Sequence, residues 1–132
     1  MEKIYDAKVG ELNSFLGDLE SELEKVAAPM KIVMQMSVCA EEIFVNVANY
    51  AYESNDGKVK ISIITKNSSC EVIFKDEGIA FNPLEKEDPD ITLSAEDRAI
   101  GGLGIFMVKK SMDEVSYDRI NNQNILKIVK KW

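Results

Sequence analysis

The 132-residue sequence contains no histidine. That absence removes imidazole acid–base catalysis, serine–histidine nucleophiles and most zinc sites together. Cysteine is scarce too: Cys39 falls in a helix-like pattern and Cys70 in a strand-like one, with no Cys-x-x-Cys spacing. Two reduced, buried thiols fit this better than a disulfide framework or a redox pair. No apolar run approaches the about 18–20 residues of a membrane-spanning helix, and MEKIYDAKVGELN lacks the basic start and apolar stretch of a secretory signal. Basic charge is also short. The 16 Lys and Arg against 23 Asp and Glu leave a net charge of −7, the wrong sign for a nucleic-acid partner. The expectation is a cytoplasmic chain with neither nucleic acid nor membrane as a direct partner.

With 45% apolar and 30% charged residues, the chain has the composition of an ordinary globule, and its length suits one domain spanning residues 1–132. Residues 2–7 predict a short edge strand. From Val9 to Val26 the apolar residues Leu12, Leu16, Leu19, Leu23 and Val26 alternate three- and four-residue steps, which predicts an amphipathic helix. Its acids, Glu11, Asp18, Glu20, Glu22 and Glu24, read as a solvated face. Pro29 breaks the chain and opens a second helix over 30–52, apolar on most sides, with Cys39, Glu42, Asn46 and Asn49 on one stripe. Asn55-Asp56-Gly57 marks a turn. The alternation of Val59, Ile61 and Ile63 with Lys58, Lys60 and Ser62 predicts a strand, and Asn67-Ser68-Ser69 turns it back into another from Cys70 to Phe74. Residues 77–100, acidic and aperiodic, predict a long loop of the kind that forms lids. A helix from Ile105 to Met112 and strands at Val115–Tyr117 and Ile125–Val129, around a turn at Arg119–Asn124, complete the reading.

Three remote segments carry the polar residues worth singling out. Glu42 and Asn46 stand four apart, about 6 Å at the base of their side chains, so both reach one ligand. A carboxylate there can take a proton from an attacking hydroxyl, and an amide oxygen can ligate magnesium. The competing reading is a surface stripe or a helix-packing hydrogen bond. Glu41 is the competitor for the base role, but about 100° round the helix it reads as outward-facing. Asp76 ends a strand just before Gly78, where a carboxylate can accept a hydrogen bond from an exocyclic amine such as that of adenine; an ordinary turn-forming Asp is the plainer alternative. Gly101, Gly102, Leu103 and Gly104 form a glycine loop that opens a helix, and a helix N-terminus favours phosphate. The loop lacks the Gly-Lys-Ser/Thr of a Walker A motif. Arg98 either closes on phosphates or pairs with Glu96 or Asp97, and both readings stay open.

EEIFVNVANYAY resembles the N box of the GHKL (Bergerat-fold) ATPases, DEGIAF their first glycine box with the pattern Asp-x-Gly-x-x-Phe ending at Phe81, and GGLGIFMVKKSMDEVSY their second. The boxes stand in family order from about Met30 onward, and the likeness is greatest to the free-standing anti-sigma factor serine kinases. The resemblance implies an α+β fold, a two-layer α/β sandwich whose mixed, mainly antiparallel sheet has helices on one face, with a mobile lid over roughly residues 80–104. It implies ATP and Mg2+ as cofactors, with Glu42 as general base and Asn46 as magnesium ligand. Asp76 and Gly78 fall at the adenine and Gly102 and Gly104 at the phosphates; Asn49, Phe81, Arg98, Gly101 and Leu103 complete the nucleotide-binding set. The implied partners are an anti-sigma factor antagonist protein, phosphorylated on serine, and a sigma factor; a homodimer is a family expectation. A nucleotide-sensing module that binds ATP without phosphoryl transfer is the alternative. The chain departs from the family pattern at Tyr50-Ala51, where many relatives have His-Gly, and at Lys127, near a position where relatives place a threonine beside adenine.

Overall fold

The computed structural model describes residues 1–53, 56–85 and 103–132. The elements run β1 (Glu2–Asp6), α1 (Leu12–Lys25), α2 (Met30–Tyr50), β2 (Lys58–Lys66), β3 (Ser69–Asp76), α3 (Leu103–Ser111), β4 (Glu114–Ile120) and β5 (Gln123–Lys131), with short 3-10 turns at Val9–Glu11 and Pro83–Glu85. The strands form one sheet in the order β1-β2-β3-β5-β4. Every pairing among the described residues is antiparallel, the majority type that the resemblance implied.

The period-two patterning puts one face of the sheet against the helices. Val59, Ile61 and Ile63 of β2, Cys70, Val72 and Phe74 of β3, and Leu126 and Ile128 of β5 are buried there. On α1 the three- and four-residue spacing turns Phe15, Leu19 and Leu23 inward, and α2 adds Met36, Ala40, Ile43 and Phe44. Four rings join the layers: Phe15 stacks on Phe44 at 5.3 Å and meets Phe74 edge-on at 5.7 Å, while Tyr5 lies 5.6 Å from Phe15. Buried aromatics dominate core energetics and prefer such offset contacts. The Tyr5 hydroxyl donates to Asp18 at 2.6 Å, tying the edge strand to α1.

The expected helix at Val9–Val26 divides into a 3-10 turn and α1, which ends in a Schellman arrangement. Ala28 N donates to Leu23 O and Ala27 N to Glu24 O, with Ala27 at φ 51°. The last hairpin differs more from expectation. Asn121 and Asn122, both at positive φ (52° and 62°), make a two-residue turn that matches the twist of the flanking strands. β4 and β5 therefore extend to Ile120 and Gln123, and Asn124 is a strand residue rather than part of a longer turn. Both cysteines are buried and free, as expected. No helix among the described residues is long and apolar enough to cross a membrane.

Candidate functional site

The end of β3, the inner face of α2 and the β4–β5 hairpin enclose a pocket. Ile43, Val47, Phe74, Phe81 and Leu126 supply apolar walls, and Asn46, Asp76, Tyr117 and Asn124 the polar groups. Asp76 is only 6% exposed. Its Oδ1 accepts from Gly78 N and from Asn124 Nδ2, both at 2.9 Å. Its other oxygen accepts no hydrogen bond among the described residues. A buried carboxylate with one oxygen pinned and one free suits a donor on a flat, mainly apolar ligand.

Asn124, absent from the sequence-derived set, organises this end of the pocket. Its Nδ2 also donates to Ile79 O at 2.7 Å, and its Oδ1 accepts from the Tyr117 hydroxyl at 2.5 Å and from Phe81 N at 3.4 Å. Both amide donors and the acceptor are engaged, so Asn124 positions Asp76 and the 76–81 loop and has little left for a ligand. Arg119 Nη1 donates to Gly78 O at 2.8 Å from the same hairpin. A Cβ on Gly78 would run into the carbonyl of Ala51, so the loop lies flush on the end of α2; Ile79 N donates to that carbonyl at 2.8 Å.

Glu42 and Asn46 follow the turns of α2 towards α3. A Cβ on Gly104 would overlap the Glu42 carboxylate, so the carboxylate rests on the backbone at the first turn of α3. Glu42, Glu41, Val38, Met107 and Gly104 line one depression there. Neither the Glu42 carboxylate nor the Asn46 amide makes a hydrogen bond among the described residues, which leaves both able to meet a ligand. The structure thus brings Glu42 to Gly104, and Asn46, Asp76 and Phe81 to one pocket, with Gly78 hydrogen-bonded to its Asp76.

Other members of the expected set fall elsewhere. Asn49 is exposed and lines a separate hollow with Ala7, Lys8 and Val9, because α2 has turned it towards the chain that precedes α1. Arg98, Gly101 and Gly102 lie outside the described residues, as do the side chain of Leu103 and most of the expected lid. The two departures from the family pattern also find their places. Tyr50 is exposed at the end of α2, its ring 6.5 Å from that of Phe81. Lys127 points to the opposite face of the sheet, pairing with Glu114 at 3.1 Å and Glu71 at 3.6 Å, and its hydrogen bond to Glu114 raises its pKa. Leu126 is the residue of β5 that faces the pocket at that point.

The chain is 26% identical over 123 residues to the serine-protein kinase RsbW of Bacillus pumilus, a match covering 85% of this chain and 76% of that protein. It is 24% identical over 106 residues to the anti-sigma F factor of Bacillus velezensis, covering 80% and 68%. The fold is similar to that of the RsbU and RsbW domains of Rv1364c from Mycobacterium tuberculosis, with a TM-score of 0.65 at 10% identity over 99% of this chain and 32% of the other. The model of the histidine kinase-like ATPase domain matches residues 6–130, nearly the whole sequence, and the chain belongs to that family.

Proposed function

We propose that the protein is an ATP-dependent protein serine kinase that also acts as an anti-sigma factor by partner switching. It phosphorylates a serine of a small antagonist protein in one complex and holds a sigma factor in the other. The observation that carries this reading is the seat of Glu42: an acid with no hydrogen bond or ion pair among the described residues lies against the backbone of Gly104 at the start of α3. The relatives named as serine-protein kinase and anti-sigma F factor support it. Adenine fits the Asp76 pocket, with its amine donating to the free carboxylate oxygen, and the phosphates extend towards Gly104 and the α3 N-terminus. The work takes place in the cytoplasm, where ATP is available.

Asn46 would hold a magnesium ion. Its unengaged amide fits that role, and no cluster of three or more acidic, cysteine or histidine side chains competes for the metal among the described residues. A single protein ligand suits magnesium, which keeps its waters and takes phosphate oxygens; once bound, the ion neutralises phosphate charge. In the transfer, the serine Oγ bonds to the γ-phosphorus as the bridge to the β-phosphate breaks and ADP leaves. Glu42 receives the serine proton. Backbone N–H groups at the start of α3 face the charge that develops on the phosphoryl oxygens.

Labelled ATP and a cognate antagonist test this directly. Serine phosphate should form with the parent and disappear in Glu42→Ala, while both chains gain about 2.7 kcal/mol of stability at ATP concentrations 100 times the dissociation constant. Nucleotide binding without transfer to any candidate antagonist rules out the kinase in favour of the nucleotide-sensing module.

A further inference from the structure

Met30, Met34 and Val38 rise at four-residue steps along α2 and are 71%, 62% and 48% exposed. Glu42 is the next residue on that line. Alongside runs a groove between α1 and α2, floored by Ala28 and Val33 and rimmed by Glu20 and Glu24. Both rim acids are exposed and form no ion pair among the described residues. At the groove wall, the buried Ser37 Oγ has no hydrogen-bond partner among the described residues. Val38 belongs both to this groove and to the depression that holds Glu42 and Gly104, so the two adjoin there.

Scattered apolar side chains on a surface need no explanation; a contiguous line of them beside a groove does. Methionine's unbranched, polarisable side chain suits partner surfaces. The acid rim selects the partner's charge, since a helix carrying lysine or arginine beside its apolar stripe complements Glu20 and Glu24. A second copy of this chain does not. Its net charge is also −7, and a two-fold axis through the groove would turn each acid rim towards the other.

We propose that the α1–α2 groove docks a basic amphipathic helix of the protein that supplies the acceptor serine, and that the depression adjoining it at Val38 leads that partner to Glu42. The role of the occupant rests on the kinase reading; the docking itself does not.

The test uses the full chain with 13C-methyl methionine, assigned through Met30→Leu and Met34→Leu. Two 16-residue helical peptides serve as probes, sharing one leucine stripe, with lysines flanking it in the first and glutamates in the second. The lysine peptide should shift the Met30 and Met34 methyl signals and the glutamate peptide should leave them in place. Reversing the rim with Glu20→Lys and Glu24→Lys should weaken the lysine peptide about tenfold, and Met34→Asp should abolish its binding. Unmoved methyl signals with the lysine peptide, or equal binding of both peptides, overturn the proposal. So does sedimentation showing a peptide-free dimer that Met34→Asp dissociates, which assigns the groove to a second copy. Thermal shifts with magnesium-ATP run in parallel. Nucleotide binding with no peptide binding defeats the groove alone, whereas peptide binding with no nucleotide shift supports the groove and defeats the kinase reading.

Discussion

Gly78 and Gly104 both stand where a β-carbon would collide with α2, but what each would strike differs. At Gly78 the obstacle is the backbone carbonyl of Ala51, which cannot swing away; at Gly104 it is the end of the Glu42 side chain, which can. Gly78→Ala should therefore cost about 1–3 kcal/mol of stability, measured by urea unfolding. Gly104→Ala should stay within about 1 kcal/mol of the parent, helped by alanine's better helix propensity. If Glu42 is the base proposed above, phosphoryl transfer should nevertheless fall about 100-fold, because a displacement of about 1 Å spoils its geometry. Full transfer in Gly104→Ala would show that Glu42 acts from another position. At this scale the sequence exposed the acids and glycines but hid Asn124. An asparagine after Asn121-Asn122 reads as turn chemistry, and only the shortness of that turn reveals that Asn124 keeps the inward alternation of Leu126 and Ile128. Asn49 illustrates the opposite limit: helical spacing put it on one stripe with Glu42, and the packing of α2 sets it in a hollow with the chain that precedes α1.

Element boundaries were most legible where one physical signal dominated. The unbroken apolar character from Met30 and the proline before it located α2, and strict alternation located β2. The ends of α1 were less so, because its first turn tightens to 3-10 and its last closes on a non-glycine residue in the left-handed region. That closure has a cost. Ala27 at φ 51° carries the steric penalty of a β-carbon there, about 1–2 kcal/mol, which glycine avoids. Ala27→Gly should raise stability by about 0.5–1 kcal/mol, after the added freedom of the unfolded chain is deducted. An unchanged or lower urea midpoint would mean that the Schellman closure is not strained. The 77–100 stretch was legible only as an irregular acidic segment, since it carries no period from which pairing or packing can be inferred.

At the scale of the molecule, the buried thiols and the Tyr5–Asp18 contact shape how stability responds to pH. Burial pushes the Cys70 thiol up to about 12 from 9.0. A raised folded pKa contributes stability that is complete below the unfolded value, so it should drain away from about pH 9 upward at about 1.4 kcal/mol per pH unit. Cys70→Ala should remove that part of the alkaline slope in urea unfolding between pH 8 and 10.5; an unaltered slope would assign it to Cys39, Tyr5 or Tyr52, which burial also raises. On the acid side the hydrogen bond from Tyr5, then Lys3, holds the Asp18 carboxyl below its usual range. Its contribution is present above about pH 4 and fades as acid protonates it. The unbroken course of α2 has a wider consequence. Because no hinge interrupts Met30 to Glu42, a partner seated on the methionines as proposed would be measured against a rigid rod, with Glu42 about 18 Å from the first of them. The helix is then a gauge: two proteins can grip it equally well, and only the one whose serine lies at the matching reach is marked.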